Sequence, residues 1–213
     1  DRFSYFTVNE PITQMAFEGQ AALTSITLPN SVLRIRGRAF CGCSSLNAIT
    51  IPSSVQVIED ESFRGCSSLT SIIVESGNNV YDSRNNCNAI IETESNTLVF
   101  GCATTIIPED VTAIASQAFW ACKNLTSITI PDSVTSIGDS AFERCSSLTS
   151  VIIPDSVTSI GNNAFNGCTS LNYVKCLSTS RSNSNSTTNW LYNVASTGTF
   201  VKDANATFCF SPR

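Results

Sequence analysis

The sequence predicts a repeat solenoid, a single stack of strand-rich coils each closed by a short α or 3₁₀ turn. Three observations carry this. Five segments, Leu23–Ser45, Leu46–Ser68, Cys102–Asn124, Leu125–Ser147 and Leu148–Ser170, align at 23 residues each without a gap. Apolar residues return to the same slot of every segment. One such unit cannot bury its own apolar face, so neighbours must stack for any core to exist.

Residues 1–22 read as a partial N-terminal coil, because Ile12, Ala16 and Phe17 fit the second half of the unit. The two regular coils of 23–68 then define the slots, numbered from Leu23. Slot 1 holds Leu23, Leu46, Leu125, Leu148 and Leu171. Slots 4 and 6 are apolar between Thr and Ser, the period-2 alternation of a half-buried strand. Proline follows at slot 7 in every regular coil (Pro29, Pro52, Pro108, Pro131, Pro154) and ends that strand, since it has no N–H for a ladder. Val at slot 10 and Ile at slot 13 predict a second short extended segment. Slots 17 and 18 are nearly always Ala-Phe (Phe40, Phe63, Phe119, Phe142, Phe165), too short a stretch for more than one turn of α or 3₁₀ helix. Stacked coils place like slots about 4.8 Å apart. The phenylalanine row is then the largest stabilising column, at roughly 2–3 kcal/mol per buried ring.

Two places break the period. Leu69 to Gly101 spans 33 residues, ten more than a regular coil. Ala89–Glu92 and Thr97–Phe100 flank Thr93-Glu94-Ser95-Asn96 and predict a hairpin in place of the second half-coil. Three regular coils follow over 102–170. From 171 to 213 the chain reads as a terminal coil and cap: a polar low-complexity loop at Ser180–Asn189, then strand-like Trp190–Val194 and Thr199–Val201.

Composition narrows the function classes. Charged residues are only 14% of the chain against a usual quarter, and the net charge is −5, which disfavours a nucleic-acid partner. Histidine is absent, removing the commonest general base and metal ligand. No apolar run approaches the roughly 18–20 residues that span a bilayer as a helix. Asp1-Arg2-Phe3 does not open a secretory signal pattern.

Ten cysteines invite a disulfide or metal reading. Cys43, Cys66, Cys122, Cys145 and Cys168 all occupy slot 21, where parallel side chains on stacked coils suit packing as reduced thiols. Cys102 and Cys176 fall in slots otherwise filled by Leu and Ile and are expected in the core. Cys87 and Cys102 flank the hairpin and are the best candidate disulfide pair, an alternative left open. No CxxC pair supports zinc. Glu59-Asp60-Glu61 is read as a solvated surface run rather than a general acid and base, with Arg34, Arg36 and Arg38 opposite it as an inter-coil ion-pair network. Asn124-Leu-Thr126, Asn185-Ser-Thr187 and Asn205-Ala-Thr207 match glycosylation sequons of the kind a Ser/Thr/Asn-rich chain yields by chance.

The motif Leu-x-x-Ile-x-Ile-Pro-x-Ser-Val-x-x-Ile-Gly-x-x-Ala-Phe-x-x-Cys resembles the BspA-like, treponemal-type leucine-rich repeats of bacterial surface proteins, over about residues 12–177. The resemblance implies a right-handed leucine-rich-repeat superhelix spanning 1–213 as one domain. One departure stands out: slot 9, usually Asn, is Ser31, Ser54, Asp110, Ser133 or Ser156, short side chains able to cap turn backbone. By the same resemblance the expected function is non-enzymatic, an extracellular binding or adhesion module. Its expected partners are host matrix or cell-surface proteins or other bacteria, and the chain is a secreted or cell-surface monomer without cofactor or metal. A passive spacer within a larger surface protein is the alternative, and a polysaccharide lyase the most credible enzyme reading.

For a binding surface, slots 3 and 5 point away from the core and are mostly small and polar (Ser25, Thr27, Thr50, Ser71, Ser127, Thr129, Ser150). Ile73, Ile106 and Ile152 break that pattern, the first two in the coils flanking the insertion. The insertion adds Tyr81 and Arg84, residue types enriched at interaction hot spots. The expected ligand contacts are therefore Ile73, Ile106, Tyr81 and Arg84, with Tyr173 and Lys175 as a secondary site.

Overall fold

Parallel stacking of short strands is what the repeat builds. The structure, a computed structural model, describes residues 12–176 and 199–202. The loop at 180–189, the segment Trp190–Val194, the sequons at Asn185 and Asn205, the capping role and the Cys176 side chain lie outside those residues. The sequence treats 1–213 as one array; the chain divides into two compact units, 1–106 and 107–213.

In the first unit the strands are β1 (Arg34–Ile35), β2 (Ala48–Ile51), β3 (Val57–Ile58), β4 (Ser71–Val74), β5 (Tyr81–Asp82), β6 (Ala89–Glu92) and β7 (Thr97–Gly101). β1 pairs with β3 and β2 with β4, both parallel and in the 23-residue register (Ile35 opposite Ile58, Ile49 opposite Ile72). An isolated parallel bridge between Ile12 and Ile35 extends the first pair into the partial coil. The hairpin is present: β6 runs antiparallel to β7 with a bulge between Ile90 and Ile91, and β5 pairs antiparallel with β6.

The second unit holds β8 (Ala113–Ile114), β9 (Ser127–Thr129), β10 (Ser136–Ile137), β11 (Ser150–Ile153), β12 (Ser159–Ile160), β13 (Tyr173–Cys176) and β14 (Thr199–Lys202). β8, β10 and β12 form one parallel set, and β9, β11 and β13 the other. β14 adds to β13 with Tyr173 opposite Thr199, a spacing of 199 − 173 = 26 residues rather than 23.

The Ala-Phe turn is not a continuous helix. Ala39, Cys41 and Cys43 each donate to the carbonyl three residues back at 3.1 Å, the bonding of a 3₁₀ turn. The residues between them do something else. The Phe40 and Gly42 N–H groups donate forward to Ser62 and Arg64 of the next coil, at 2.7 and 2.8 Å. The same alternation recurs in the second unit, where Phe142 and Arg144 donate to Ala164 and Asn166, both at 2.7 Å. Left-handed residues make it work: slot 16 is Met15, Arg38, Glu61, Gln117, Ser140 or Asn163, with φ between 55° and 60°. Slot 20 is left-handed too, glycine at Gly19, Gly42, Gly65 and Gly167 but Ala121 and Arg144 elsewhere. A left-handed residue costs a non-glycine side chain about 1–2 kcal/mol, and none of the slot 16 residues is β-branched, the kind for which that cost is worst. The inter-coil bond it aims repays the strain.

The phenylalanine column forms as expected, with one addition. Phe17, Phe40 and Phe63 stack at 5.2 and 5.3 Å with planes within 3°. Phe100, from the hairpin strand β7, takes the next place at 5.2 Å, tilted by 35°. In the second unit Phe119, Phe142 and Phe165 stack at 4.9 and 5.0 Å.

Slot 21 is a column of buried thiols, and each is more than a small apolar filler. The Cys43 thiol donates to the Phe17 carbonyl, Cys66 to Phe40, Cys145 to Phe119 and Cys168 to Phe142, all at 3.1 Å. Every bond joins slot 21 to slot 18 of the preceding coil. Burial disfavours the thiolate, so the Cys43 thiol is pushed up to about 11, and Cys66 and Cys145 are raised as well. Slot 9 also caps across coils: the Ser54 hydroxyl donates to Val32 at 2.7 Å and Ser156 to Val134 at 2.8 Å.

Two measurements check this packing. Phe142→Ala, between two stacked rings, is expected to cost roughly 3–5 kcal/mol by urea unfolding, and Phe17→Ala less, because Phe17 is half-buried. Equal costs would contradict column packing. Because the folded chain keeps thiol protons that the unfolded chain loses above about pH 9, stability should be intact below that pH and fall toward pH 11. Native thiols should resist an aromatic disulfide reagent until the chain unfolds; rapid native labelling of most of them would refute buried donors.

Candidate binding surface

Alternation along the first strand set places slots 3 and 5 outside. β2 shows it as exposed Ala48 and Thr50 against buried Ile49 and Ile51. In β4, Ile73 lies opposite Thr50 and is 50% exposed; Ile106 is 74% exposed. The Thr104 hydroxyl donates to the Thr70 carbonyl at 2.6 Å, tying the segment that carries Ile106 to the start of β4. In the second unit Ile152 is exposed, between Thr129 and Lys175 by register, while Tyr173 and Lys175 are half-buried.

The insertion does different work from the one the sequence suggested. A regular coil would offer backbone partners to its neighbour; residues 75–88 offer side chains. Along the free edge of β4, the Ile72 N–H donates to Asn88 Oδ1 at 3.4 Å and the Val74 N–H to Ser83 Oγ at 2.9 Å. Against the preceding coil, the Ser53 N–H donates to Glu75 Oε2 at 3.0 Å. Asn78 Nδ2 donates to the Pro52 and Val55 carbonyls at 3.0 and 2.9 Å. The Ile58 N–H donates to the Tyr81 hydroxyl at 3.0 Å.

Tyr81 therefore faces inward rather than solvent. It is 6% exposed, its ring in the first unit's core and its hydroxyl spent on Ile58. Burial raises its pKa, so the phenol stays neutral. Arg84 is half-buried and already held: its Nε and Nη2 engage Asp82 at 2.7–3.0 Å, and Nη1 donates to Asn96 Oδ1 at 2.8 Å. Of the four primary candidates, Ile73 and Ile106 stand open to solvent. The sequence did carry a signal for the insertion's role, the asparagine-rich run Asn78-Asn79 and Asn85-Asn86-Cys87-Asn88. Asn85, Asn86 and Asn88 are left-handed, with φ of 58°, 53° and 51°, which asparagine tolerates better than most residues. Cys87 and Cys102 are both free buried thiols, their sulfurs directed to the Ala89 and Asn88 carbonyls.

The acidic run also sorts itself. Arg38 pairs with Glu18 and, at 3.7 Å, with Glu61, which Arg64 also reaches at 3.0 Å. Glu59 Oε2 instead accepts the Gly37 N–H at 2.8 Å. The expected network thus runs through Arg38 and Arg64; among the described residues Arg34 and Arg36 do not join it. In the second unit Arg144 lies 5.3 Å from the Trp120 ring centre, a cation–π contact, and a shallow open depression of about 380 Å³ is floored by Gly138 and Gly161. A Cβ on Gly138 would come within 2.4 Å of the Ser116 nitrogen, so glycine is required for the coils to approach there. No helix among the described residues is long and apolar enough to cross a membrane.

Comparison with known proteins agrees with this geometry. The model of the BspA type leucine rich repeat region matches residues 10–99 and 100–196 in six copies, and the chain belongs to that family. Among solved structures it is similar to the pneumococcal vaccine antigen PcpA (20% identity, TM-score 0.66, 93% of this chain and 57% of that one). It is also similar to leucine-rich repeat proteins from Eubacterium ventriosum (24%, 0.54, 77% and 56%) and Bacteroides ovatus (23%, 0.51, 87% and 49%). These likenesses show the fold, and the chain spans about half the length of each of those proteins. No curated protein matches.

Tyr81→Phe removes the partner of the Ile58 N–H and should cost about 1 kcal/mol in unfolding free energy, with the fold retained. No measurable change would mean that water replaces the phenol at no cost.

Proposed function

We propose that the protein is a non-enzymatic binding and adhesion module of a bacterial cell surface, with the outer face of its first strand set as the contact surface. One observation carries this: Ile73 and Ile106 are exposed at the outward slot that holds threonine in Thr27, Thr50 and Thr129, and Ile152 repeats the exposure in the second unit. Large apolar side chains on an otherwise polar sheet face mark interaction sites more often than scattered exposure does. Leucine-rich repeat chains are in general binding modules rather than catalysts, which supports the non-enzymatic reading. Similarity to a pneumococcal vaccine antigen supports a surface location. The partners are host matrix or cell-surface proteins, or other bacteria. Tyr173 and Lys175 form a secondary contact with Ile152 beside them.

The intact chain, screened against purified matrix proteins and glycans, should yield a binder whose affinity falls about tenfold or more in Ile73→Asp, Ile106→Asp. The comparison variant, Thr27→Asp, Thr129→Asp, should bind as the native chain does, with melting unchanged in both. Equal binding by the two variants removes the patch assignment, and no binder at all favours a spacer.

A further inference from the structure

Equivalent slots are an internal control on what a coil needs. At slots 11, 12 and 14 the second unit carries Thr112, Ala113 and Ala115, then Thr135, Ser136 and Gly138, then Thr158, Ser159 and Gly161. β8, β10 and β12 form on these small side chains, so the fold asks for neither bulk nor charge there. The first full coil carries Leu33, Arg34 and Arg36 instead. Leu33 is 50% exposed, and both arginines are exposed. Among the described residues neither guanidinium has a hydrogen bond or ion pair, and three of the nearby acids are engaged elsewhere. Glu61 is held by Arg38 and Arg64, Glu18 by Arg38, and Glu59 by the Gly37 N–H. Asp60 alone of the run stays exposed without such an engagement.

Arg34, in β1, and Arg36, just past its end, are exposed on either side of the buried Ile35, roughly 6.6–6.8 Å apart along an extended backbone. Val57, half-buried, lies opposite Arg34 on the next coil.

We propose that Leu33, Arg34 and Arg36 form a docking surface for an extended acidic segment of a partner polypeptide, with carboxylates on alternate residues. The spacing carries the choice of partner. An extended chain repeats its same-face side chains at the interval that separates the two arginines, so each guanidinium takes one carboxylate in a bidentate fork. Leu33 covers an apolar neighbour on that segment. In a chain of net charge −5, two exposed guanidinium groups that take no ion pair among the described residues are a local attraction for an acidic partner. The surface is distinct from the isoleucine face and does not depend on it.

The test is fluorescence anisotropy with a labelled peptide of alternating Glu and Thr, about 12 residues long so that it overlies the strand at any register. A peptide of equal length and charge with its Glu residues in one block, and a sulfated polysaccharide, are the competing probes. Alternating peptide should bind the intact chain at low salt, more tightly than the block peptide, and weaken as salt rises. Arg34→Ser, Arg36→Ser should lower that affinity about tenfold, while Lys123→Ser, Arg144→Ser, which removes the same net charge, leaves it unchanged. Equal loss in both double variants, no preference for the alternating peptide, or arginine-dependent binding of the polysaccharide in place of the peptide would each overturn the proposal.

Discussion

Each coil of this protein exposes a row of N–H and C=O groups on both of its edges, and in the regular part of the array another coil in the same register satisfies them. That constraint places slot over slot. The phenylalanine column, the thiol column and the Ser54 and Ser156 caps are all consequences of it, because none has a partner within its own coil. Even the strained turn serves it: left-handed backbone at slots 16 and 20 exists to aim alternate N–H groups at the next coil. Local strain and long-range pairing are two sides of one arrangement.

Much of this was legible because the repeat copies each observation five times. Slots 4, 6, 10 and 13, the proline stops, the hairpin at 89–101 and the buried slot 21 cysteines follow from periodicity and elementary packing. The turn was harder. Ala-Phe reads as a helical turn because nothing at slot 16 announces a positive φ; Met, Arg, Glu, Gln, Ser and Asn share only the lack of a β-branch. Phe100 was missed for a related reason. It reaches the phenylalanine column from an antiparallel strand, and a gap-free 23-residue alignment does not carry it there.

The candidate surface was legible by half. Outward slots are set by the pleat, so Ile73 and Ile106 could be read directly. Tyr81 and Arg84 could not, since residue type says nothing of whether a neighbouring coil lacks a backbone partner. The tyrosine fills such a gap, and the arginine neutralises an acid two residues away. The same limit hid Arg34 and Arg36, which among the described residues stay out of the ion pairs that Arg38 and Arg64 make with Glu18 and Glu61. In a repeat array, function is written in departures from the pattern, and only some departures are open to solvent.

The side-chain partners supplied by residues 75–88 have a consequence for descent. In a regular coil the bonds to the next coil are mainly backbone, so a gene segment duplicated or drifting at its polar slots brings its adhesive edges with it unchanged. The side chains of Glu75, Asn78, Tyr81, Ser83 and Asn88 work the other way, since each bond those side chains make is inherited only while that one codon is kept. A whole regular coil can therefore be added or removed with its edges intact, while the stretch around the insertion keeps its bonds only if it is copied as a piece.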